Sequence, residues 1–539
     1  MRADADRSRA VGQDLRGLVR GDVLFDEIDR VLYSTAACMF ELWPLGAVAP
    51  VDAGDVQAVL RYARARGIPV TARGGGTGVA GQSVGEGIVL VFTRHLHRIR
   101  GIDPGGRRVE VDPGVTLQEL NAALAPHGLR FPPDPSSGDA ATLGGMIGTN
   151  AAGSHTLKYG TVKDWIESLS VVLDTGEQAT FRRGVPVAAD AASSPRLAEI
   201  AASMRALLEA RRDLLERVRP RVTKNSCGYN LFELAGRDGL DLVPLLAGSE
   251  GTLAVITGAT LRVDPKPVHV ATLRILLDAL EKVAPVVEAL RAHGPSGIEL
   301  IERAMIDLVR GGDAAMADEV PPATRSALLG EFDGLDEREV DDRAAAAAAA
   351  VRASGLALEV RVATTERERR QLWALRKKAS PLLERLPGPR RSTRLVEDGV
   401  VPPARLADYV RGLERLFERR GVDAFLFGHA GDGHLHVNVF LDRNDPYDRR
   451  LMRILMEEVT DLLRSLGGTL SGEHGDGLMR AGYLERLFGP ELMGVFRDVK
   501  RIWDPAGILN PGKKVPIEGE DFVSRIPARP RPLRRTTLH

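Results

Sequence analysis

Cysteine is scarce in this chain: only Cys38 and Cys227 occur among 539 residues. Two thiols in unrelated contexts exclude a disulfide scaffold, and they exclude an iron–sulfur cluster held by cysteines of this chain. An excess of charge of either sign is also missing, because Lys+Arg and Asp+Glu both number 73. Without a global basic field to attract polyanions, nucleic acid is not a predicted partner.

Long apolar runs are absent as well. No uncharged apolar stretch reaches the roughly 18 residues that a membrane-spanning helix requires. The first residues, MRADADRSRAVGQDLRGLVRGD, mix charges and lack the apolar centre of a secretory signal. We therefore expect a cytoplasmic protein without a transmembrane segment. The arginine-rich tail at 517–539 predicts a solvated segment, with peripheral membrane or partner contact as the alternative.

The length of 539 residues is too great for one hydrophobic core and indicates several domains. The first half has a helical pattern at 48–62 and then short strands that alternate with turns, including a hairpin at 168–177. The second half mixes strands with longer helices. Its alanine-rich run at 337–355 has strong helix propensity and predicts a surface helix. This mixture of strands and helices along the chain predicts an α+β fold class.

A glycine-rich loop, TARGGGTGVAGQS, contains the pattern G-x-G-x-x-G at Gly76, Gly78 and Gly81. In a Rossmann fold this pattern opens a helix, but here only QSVGEG separates the loop from the apolar strand IVLVF. A Rossmann fold is therefore excluded. Consecutive glycines still allow backbone N–H groups to converge on an anion such as a pyrophosphate, and a plain glycine-rich turn is the alternative.

Small residues dominate a second stretch, PPDPSSGDAATLGGMIGTNAAGSHTLKYGTVKDW at 132–165, which has almost no helical periodicity. Ordering so many flexible residues costs conformational entropy, so we expect the stretch to wrap around a ligand. A large, flat cofactor that carries phosphate groups suits it.

The stretch FGHAGDGHLHVNVF contains three histidines, which are His429, His434 and His436. Buried histidines satisfied by backbone carbonyls are one interpretation, and a divalent metal site is the favoured one. His434 and His436 share one face of a strand. The two glycines between His429 and His434 permit a sharp turn, which lets His429 fold back towards His436.

A second glycine-flanked turn, GGTLSGEHGDGL, adds Glu473 and His474. A carboxylate beside imidazoles completes a common donor set for zinc. The glycines leave little steric bulk around these two side chains, so a cofactor can approach them closely. We expect the two turns to meet in the fold.

Five ordered motifs together resemble the vanillyl-alcohol-oxidase-type flavoproteins: RGGGTGVAGQS, FPPDPSS, TLGGMIGTNAAG, YGTVKDW and GSEGTLAVIT. The resemblance spans roughly residues 20–515 and is closest to the branch of D-lactate dehydrogenase, the FAD subunit of glycolate oxidase and D-2-hydroxyglutarate dehydrogenase. It implies a two-subdomain, non-Rossmann FAD-binding domain at 46–265 and an α+β substrate (cap) domain with an antiparallel sheet at 266–470. We expect a helical segment at 1–45, and a C-terminal segment at 471–516 that returns to the FAD domain.

The resemblance also implies the site residues. FAD is expected to be non-covalent, because some relatives attach it through a histidine that this glycine loop lacks. Its expected contacts are Arg73, Gly74, Gly75, Gly76, Thr77, Gly78, Gln82, Ser83, Pro133, Asp134, Gly144, Gly145, Thr149, Asn150, Gly153, Ile256 and Asn510. A divalent metal, with zinc as the expected ion, is implied at His429, His436 and Glu473. His474 is then the catalytic base, and the substrate-binding residues are Arg376, Ser380 and Asn438.

These assignments imply the oxidation of a D-2-hydroxy acid to the 2-oxo acid. The metal lowers the pKa of the substrate hydroxyl, His474 with a pKa of about 6.5 takes its proton, and the Cα hydride moves to flavin N5. Relatives that act on dicarboxylates often have a lysine where this chain has Val396, so we expect a monocarboxylate such as lactate or glycolate. His434 stands where asparagine is usual. It either adds a donor near the metal or flavin or fills the same space.

Two other function classes stay open at this point: a zinc-dependent hydrolase, and a flavin-binding subunit of a larger redox complex. The scarcity of cysteine predicts that electrons leave the chain for a separate acceptor. The candidates are an iron–sulfur subunit, a cytochrome, a quinone and an electron-transfer flavoprotein. A homodimer is an open alternative for the oligomeric state.

Overall fold

The structure is a computed structural model that describes residues 2–187, 194–234, 240–312, 319–384, 386 and 388–527. Two of its main sheets lie in the first half of the chain and one lies in the second. Helices and antiparallel sheets occur together, which confirms the predicted α+β class. The prediction for the basic tail concerns residues that lie mostly beyond 527, outside the described ones.

The first sheet is small and partly parallel. Its strands are β1 (Asp22–Leu24), β2 (Gly46–Ala49), β3 (Val70–Arg73) and β4 (Ile88–Val91), in the order β1-β2-β4-β3. β4 pairs in parallel with β2 and β3, whereas β1 joins antiparallel. The helix Ala53–Arg66 connects β2 to β3; the Asp52 side chain caps its start and Gly67, with φ of 60°, ends it.

The connection from β3 to β4 contains no helix, as the sequence predicted, and consists of the glycine-rich loop. The C-terminal segment returns to this place. Val70 N donates to Ile508 O at 2.7 Å, and Asn510 N donates to Val70 O at 2.8 Å. Asn510 Nδ2 also donates to the carbonyls of Gln82 and Glu250, at 2.9 and 2.7 Å. Asn510 thus ties β3 to the glycine-rich loop and to the GSEG turn.

The second sheet is antiparallel. Its strands are β5 (Ile99–Asp103), β6 (Arg108–Val111), β8 (Ile166–Val172), β9 (Gln178–Arg182) and β10 (Val255–Arg262), in the order β5-β6-β10-β8-β9, and β7 (Leu129–Arg130) forms a short pair with β11 (Asp264–Pro265). The predicted hairpin at 168–177 is confirmed, because β8 and β9 pair across a turn in which Gly176 has φ of 81°. The helices around these strands are Leu117–Leu124, Leu143–Thr149, Thr156–Tyr159, Pro195–Ala210, Arg212–Arg217 and Val243–Leu246.

The third sheet is the largest and every pairing in it is antiparallel. Its strands are β12 (His269–Leu277), β13 (Gly297–Glu302), β14 (Ser326–Gly334), β15 (Glu359–Ala363), β16 (Arg391–Thr393), β17 (Gly399–Val400), β18 (Ala424–His429) and β19 (His434–Leu441). They run in the order β15-β12-β14-β13-β18-β19-β16, and β17 pairs with β19. The helices that accompany them are Val283–Arg291, Arg303–Gly312, Glu337–Ala353, Glu366–Glu384, Leu406–Arg420 and Pro446–Ser465.

The predicted alanine-rich helix is confirmed as Glu337–Ala353. Its face with Ala344, Ala347 and Ala348 is buried against β12 and β14, because small side chains let a helix approach a sheet closely.

The remaining helices lie near the two ends of the chain and are Arg2–Arg16, Glu27–Ser34, Gly477–Arg480, Leu484–Phe488 and Pro490–Trp503. Among the helices described, none combines the length and the apolar character that crossing a bilayer takes. The domain boundaries at 46, 266, 471 and 517 stay predictions.

His155 links the two halves of the chain. Its Nδ1 lies 2.5 Å from Asp134 Oδ2, and its Nε2 lies 2.9 Å from Glu331 Oε2 on β14. Burial opposes the charged imidazole, but the two carboxylates outweigh it and raise the pKa of His155 well above its usual value. A charged imidazole therefore bridges the 132–165 stretch and the third sheet.

Replacing this bridge tests its contribution to stability. We expect His155→Gln to lower the free energy of unfolding by about 2 kcal/mol near pH 6, since hydrogen bonds to charged groups contribute this much. Because the pKa of His155 is higher in the folded protein than in the unfolded one, the bridge stabilises the fold fully below the unfolded pKa of about 6.5. This stabilisation is lost as the pH rises through the folded pKa. Denaturant midpoints across pH should therefore converge for the two proteins in alkali. His127→Gln, at an exposed histidine, is the control, and a difference that grew with pH would contradict this expectation.

Candidate active site

The glycine-rich loop lines a cleft with ≈ 1290 Å³ of empty space, part of it open to solvent. The predicted FAD contacts that line it are Arg73, Gly74, Gly75, Gly76, Thr77, Gly78, Gln82, Ser83, Gly144, Gly145, Thr149 and Ile256. The cleft also includes Glu250, which was not among them.

The remaining predicted FAD contacts are not part of this lining; they are Pro133, Asp134, Asn150, Gly153 and Asn510. Asp134 is bonded to His155, and Asn150 Oδ1 accepts a hydrogen bond from Lys163 N at 2.9 Å. A Cβ on Gly153 would overlap Asp134. In this structure Asp134, Asn150 and Gly153 hold the 132–165 stretch in its folded form, whereas Asn510 ties β3 to the glycine-rich loop.

Two features of the cleft fit a phosphate-bearing cofactor. Gln82 Oε1 and Ser83 Oγ are buried and have no hydrogen-bond partner among the described residues. Buried polar atoms are normally satisfied, so this pair indicates a ligand beside the loop. A Cβ on Gly75 would overlap the carbonyl of Ala140, so only glycine lets the loop lie so close to the opposite wall.

The turn between β18 and β19 brings two histidines together. Gly433 has φ of 68°, and a Cβ there would overlap the carbonyl of Val401. The hairpin pairs Phe427 with His436, and the Nε2 atoms of His429 and His436 lie 3.3 Å apart. The predicted return of His429 towards His436 is confirmed.

The second glycine-flanked turn places Glu473 beside these imidazoles. Its Oε1 lies 3.2 Å from His436 Nε2, 3.5 Å from His429 Nε2 and 3.6 Å from His474 Nε2. Donors bound to tetrahedral zinc at 2.0–2.1 Å are about 3.3 Å from one another. The predicted ligands therefore have the spacing of a divalent metal site, and His434 belongs to the same cluster.

Acceptors hold the other ring nitrogen of each of these imidazoles. His429 Nδ1 is bonded to Glu299, and His436 Nδ1 lies 3.0 Å from the carbonyl of Glu397. His474 Nδ1 lies 2.7 Å from Glu397 Oε2. Such outer partners fix the tautomer and the ring orientation, so each Nε2 faces Glu473.

Asp398 fastens the two turns to each other. Its Oδ1 lies 2.8 Å from His434 Nε2, and its Oδ2 accepts from His474 N at 2.9 Å and from the hydroxyl of Ser471. On the other side of the cluster, the buried Lys224 Nζ donates to Glu473 Oε2 at 2.9 Å. This leaves Oε1 of Glu473 for the imidazoles.

Sequence reasoning missed these supporting residues, which are Glu299, Glu397, Asp398, Lys224 and Arg480. One signal was available: adjacent acids in the apolar stretch RLVEDGVVP are rarely buried without partners. No comparable local signal marked Lys224, whose partner Glu473 is far away in the sequence.

Opposing charges set the pKa values in the cluster. Burial opposes the charged form of His474, but Glu397 and Asp398 outweigh it and raise its pKa to about 9. The ordinary value expected from the sequence does not apply there. Burial, reinforced by Lys224, lowers the pKa of His434 to about 3, so this imidazole is neutral. Burial also opposes the charge of Glu473, yet Lys224 holds its pKa well below the usual range.

Two of the predicted substrate-binding residues, Arg376 and Asn438, do not line the cleft. Arg376 lies over the Phe427 ring, 3.9 Å from its centroid, and its Nε is 3.8 Å from Glu299 Oε2. Asn438 Oδ1 accepts a hydrogen bond from Ser392 Oγ at 3.1 Å. The Ser380 side chain lies outside the described residues. Arg376 therefore contacts two neighbours of the cluster: Glu299, the partner of His429, and Phe427, whose ring centroid lies 5.3 Å from that of His436.

A different arginine lies in the cleft. Arg394 is exposed and shares the lining with Glu473 and His474. Within the described part of the chain it has no hydrogen bond or ion pair. Sequence reasoning did not select it, because an arginine in a short loop carries no local sign of a ligand.

The glycine-rich loop and the histidine cluster are directly connected. Gln82 Nε2 donates a hydrogen bond to the carbonyl of His474. The same cleft is lined by the loop at one side and by Glu473 and His474 at another. The predicted cofactor loop and the predicted base therefore face one space.

Two sequence families match this chain. The family "FAD binding domain" matches residues 44–182, and "FAD linked oxidases, C-terminal domain" matches residues 266–514. The D-lactate dehydrogenase of Archaeoglobus fulgidus is 33% identical over 495 residues, which cover 91% of this chain and 95% of that protein. The glycolate oxidase subunit GlcD of Escherichia coli is 31% identical over 481 residues, covering 88% and 84%.

The D-2-hydroxyglutarate dehydrogenase of Pseudomonas putida is 33% identical over 518 residues, covering 92% of this chain but 50% of that protein. The chain thus spans about half the length of the D-2-hydroxyglutarate dehydrogenases that it matches. Among solved structures, p-cresol methylhydroxylase with substrate bound has a TM-score of 0.69 at 15% identity, covering 97% of this chain and 98% of that one. This likeness supports the fold.

Substituting Gly75 tests whether the loop holds FAD. We expect Gly75→Ala to weaken FAD binding at least tenfold and so to lower the flavin content of the purified protein, since about 1.4 kcal/mol of strain at the Ala140 carbonyl suffices. Flavin absorbance relative to protein measures the content. Gly101→Ala is the control, because a Cβ there meets nothing within 4 Å. Full flavin content in Gly75→Ala would argue against the role of this loop.

Proposed function

The chain belongs to the FAD-linked oxidases, and from this premise we propose that it oxidises a small D-2-hydroxy acid to the 2-oxo acid with the help of a divalent ion. One observation carries the proposal: Glu473 and His474, beside the imidazoles of His429 and His436, line the same cleft as the glycine-rich loop. The relatives named for D-lactate, glycolate and D-2-hydroxyglutarate support this substrate class.

The residues of the cleft suit both groups that this reaction uses. FAD would be held non-covalently by the glycine-rich loop with Gln82 and Ser83, and zinc would be held by His429, His436 and Glu473. When bound, FAD supplies an acceptor for the Cα hydride, and the ion supplies a Lewis acid that lowers the pKa of the substrate hydroxyl.

His474 is the proposed base. Glu397 holds its Nδ1, which leaves Nε2 to take the hydroxyl proton. Glu397 and Asp398 favour the charged imidazole, whereas a base must be neutral. A bound dication would compete with the imidazole proton for the negative charge of Glu397 and Asp398. It would therefore favour the neutral form of His474.

Arg394 is the proposed partner of the substrate carboxylate. It lines the cleft next to His474 and has no hydrogen bond or ion pair among the described residues, whereas Arg376 lies over the Phe427 ring and 3.8 Å from Glu299. Val396, the position that suggested a monocarboxylate, is buried. We retain lactate or glycolate as the proposed substrates. The two electrons would pass to a separate acceptor: an iron–sulfur subunit, a cytochrome, a quinone or an electron-transfer flavoprotein.

Anaerobic mixing with a panel of D- and L-2-hydroxy acids tests the function. We expect a D-acid such as lactate to bleach the flavin, and His474→Asn to slow bleaching roughly 10²–10⁴-fold with flavin content unchanged. Asparagine keeps a donor for Glu397 but has no group that can take the proton. A colourless, flavin-free protein would favour the zinc hydrolase instead, and a flavin that no hydroxy acid reduces would favour a binding subunit.

Removing the guanidinium tests the carboxylate site. We expect Arg394→Met to raise the substrate concentration for half-maximal bleaching about 10- to 100-fold, since charge-assisted hydrogen bonds contribute about 1.5–3 kcal/mol. Arg391→Met is the matched control, because Arg391 is exposed and bonded to the carbonyls of Gly388 and Arg390. Equal effects of the two substitutions would contradict a specific role for Arg394.

A further inference from the structure

His434 is the member of the histidine cluster that the proposed function leaves without a role. It is the first residue of β19, and its side chain is completely buried. Its ring centroid lies 5.3 Å from that of His429 and 4.5 Å from that of His436. One nitrogen of His434 lies within 4.8 Å of the ligand atoms of His429, His436 and Glu473.

The hydrogen bonds of His434 settle which nitrogen is available. Its Nε2 lies 2.8 Å from Asp398 Oδ1, and a carboxylate that accepts from this nitrogen requires it to carry the proton. In a neutral imidazole the other nitrogen, Nδ1, then presents a lone pair. Nδ1 is buried and has no hydrogen-bond partner in the part of the chain that the structure describes.

An imidazole that served only to pack the turn would not need this arrangement. Buried polar atoms nearly always find a partner, and an unpartnered one calls for an explanation. The bond to Asp398 repeats what Glu299 and Glu397 do for the neighbouring histidines: one nitrogen is held so that the other is aimed. The lone pair at Nδ1 is the donor that this orientation leaves free.

We propose that His434 Nδ1 is a further ligand of the divalent ion, in addition to His429, His436 and Glu473; this inference rests on the metal assistance proposed above. The ligand atoms of all four residues lie within 4.8 Å of one another, so small side-chain movements would bring all of them into contact with one ion. The site then has one protein donor more than the two histidines and one glutamate that the resemblance implied.

Two substitutions distinguish the effect of losing the donor at Nδ1 from the effect of losing the hydrogen bond to Asp398. In His434→Gln the amide nitrogen reaches the position of Nε2 and keeps the bond to Asp398, while a carbon replaces Nδ1. In His434→Asn the amide group occupies the position of Nδ1, and the bond to Asp398 is lost. His127→Gln, at an exposed histidine outside the candidate metal-binding groups, controls for the loss of a histidine as such.

The measurement is the affinity of the flavin-loaded, full-length protein for Zn²⁺ and Co²⁺, by competition with a chelator, together with the visible spectrum of bound Co²⁺. We expect His434→Gln to weaken binding of both ions by more than the roughly 10- to 100-fold that loss of an outer partner costs, and to change the Co²⁺ spectrum, because a ligand is lost. His434→Asn should weaken binding less. Flavin content and the thermal midpoint show that each variant is folded.

Two results would overturn the inference. If His434→Gln binds both ions as the wild type does while His434→Asn loses them, His434 acts only through Asp398, and the metal assistance still stands. If the wild type takes up neither ion, the metal assistance fails together with this inference.

Discussion

The buried carboxylate of Asp398 is the constraint on which the candidate site depends. It accepts hydrogen bonds from the imidazole that begins β19 and from the backbone and hydroxyl groups of the turn that carries Glu473. Burial opposes its charge, but the neighbouring His474 and His434 hold its pKa at about 2. Separating the two turns would leave an uncompensated charge in the interior, which costs several kcal/mol. The turns therefore stay together, and the imidazoles stay opposite Glu473.

The same polar network reaches the cofactor cleft. Arg480 donates to Glu397 and to the carbonyl of Gly475, so the orienting carboxylate of His474 is itself held from the C-terminal segment. Gln82 joins the glycine-rich loop to the carbonyl of His474. Buried networks of this kind hold their members in fixed positions, which is what a site for hydride and proton removal requires. The segment after the third sheet thus connects the halves of the chain at their functional residues.

Much of this arrangement was predictable from local sequence. The missing crossover helix after the glycine-rich loop excluded a Rossmann fold, and the glycines around Asp432 predicted the turn that joins His429 to His436; the structure confirms both. Lys224 and Glu299 were not predictable, because they meet their partners only after distant segments pack together. The pKa predicted for His474 was wrong for the same reason, because Glu397 and Asp398, which raise it, lie far from His474 in the sequence. The sequence does not distinguish Arg394 from Arg376; the fold places Arg376 beside Glu299, whereas Arg394 has no hydrogen bond or ion pair in the part of the chain that the structure describes.

The account depends on one ion held by imidazoles and a carboxylate at the wall of a flavin cleft. The most direct measurement is a crystal structure of the flavin-loaded protein with zinc, with anomalous data at the zinc edge. The account predicts one anomalous peak about 2.0–2.2 Å from His429 Nε2, His436 Nε2 and Glu473 Oε1, beside a flavin in the cleft. A peak elsewhere, or a flavin bound away from the glycine-rich loop, would contradict it.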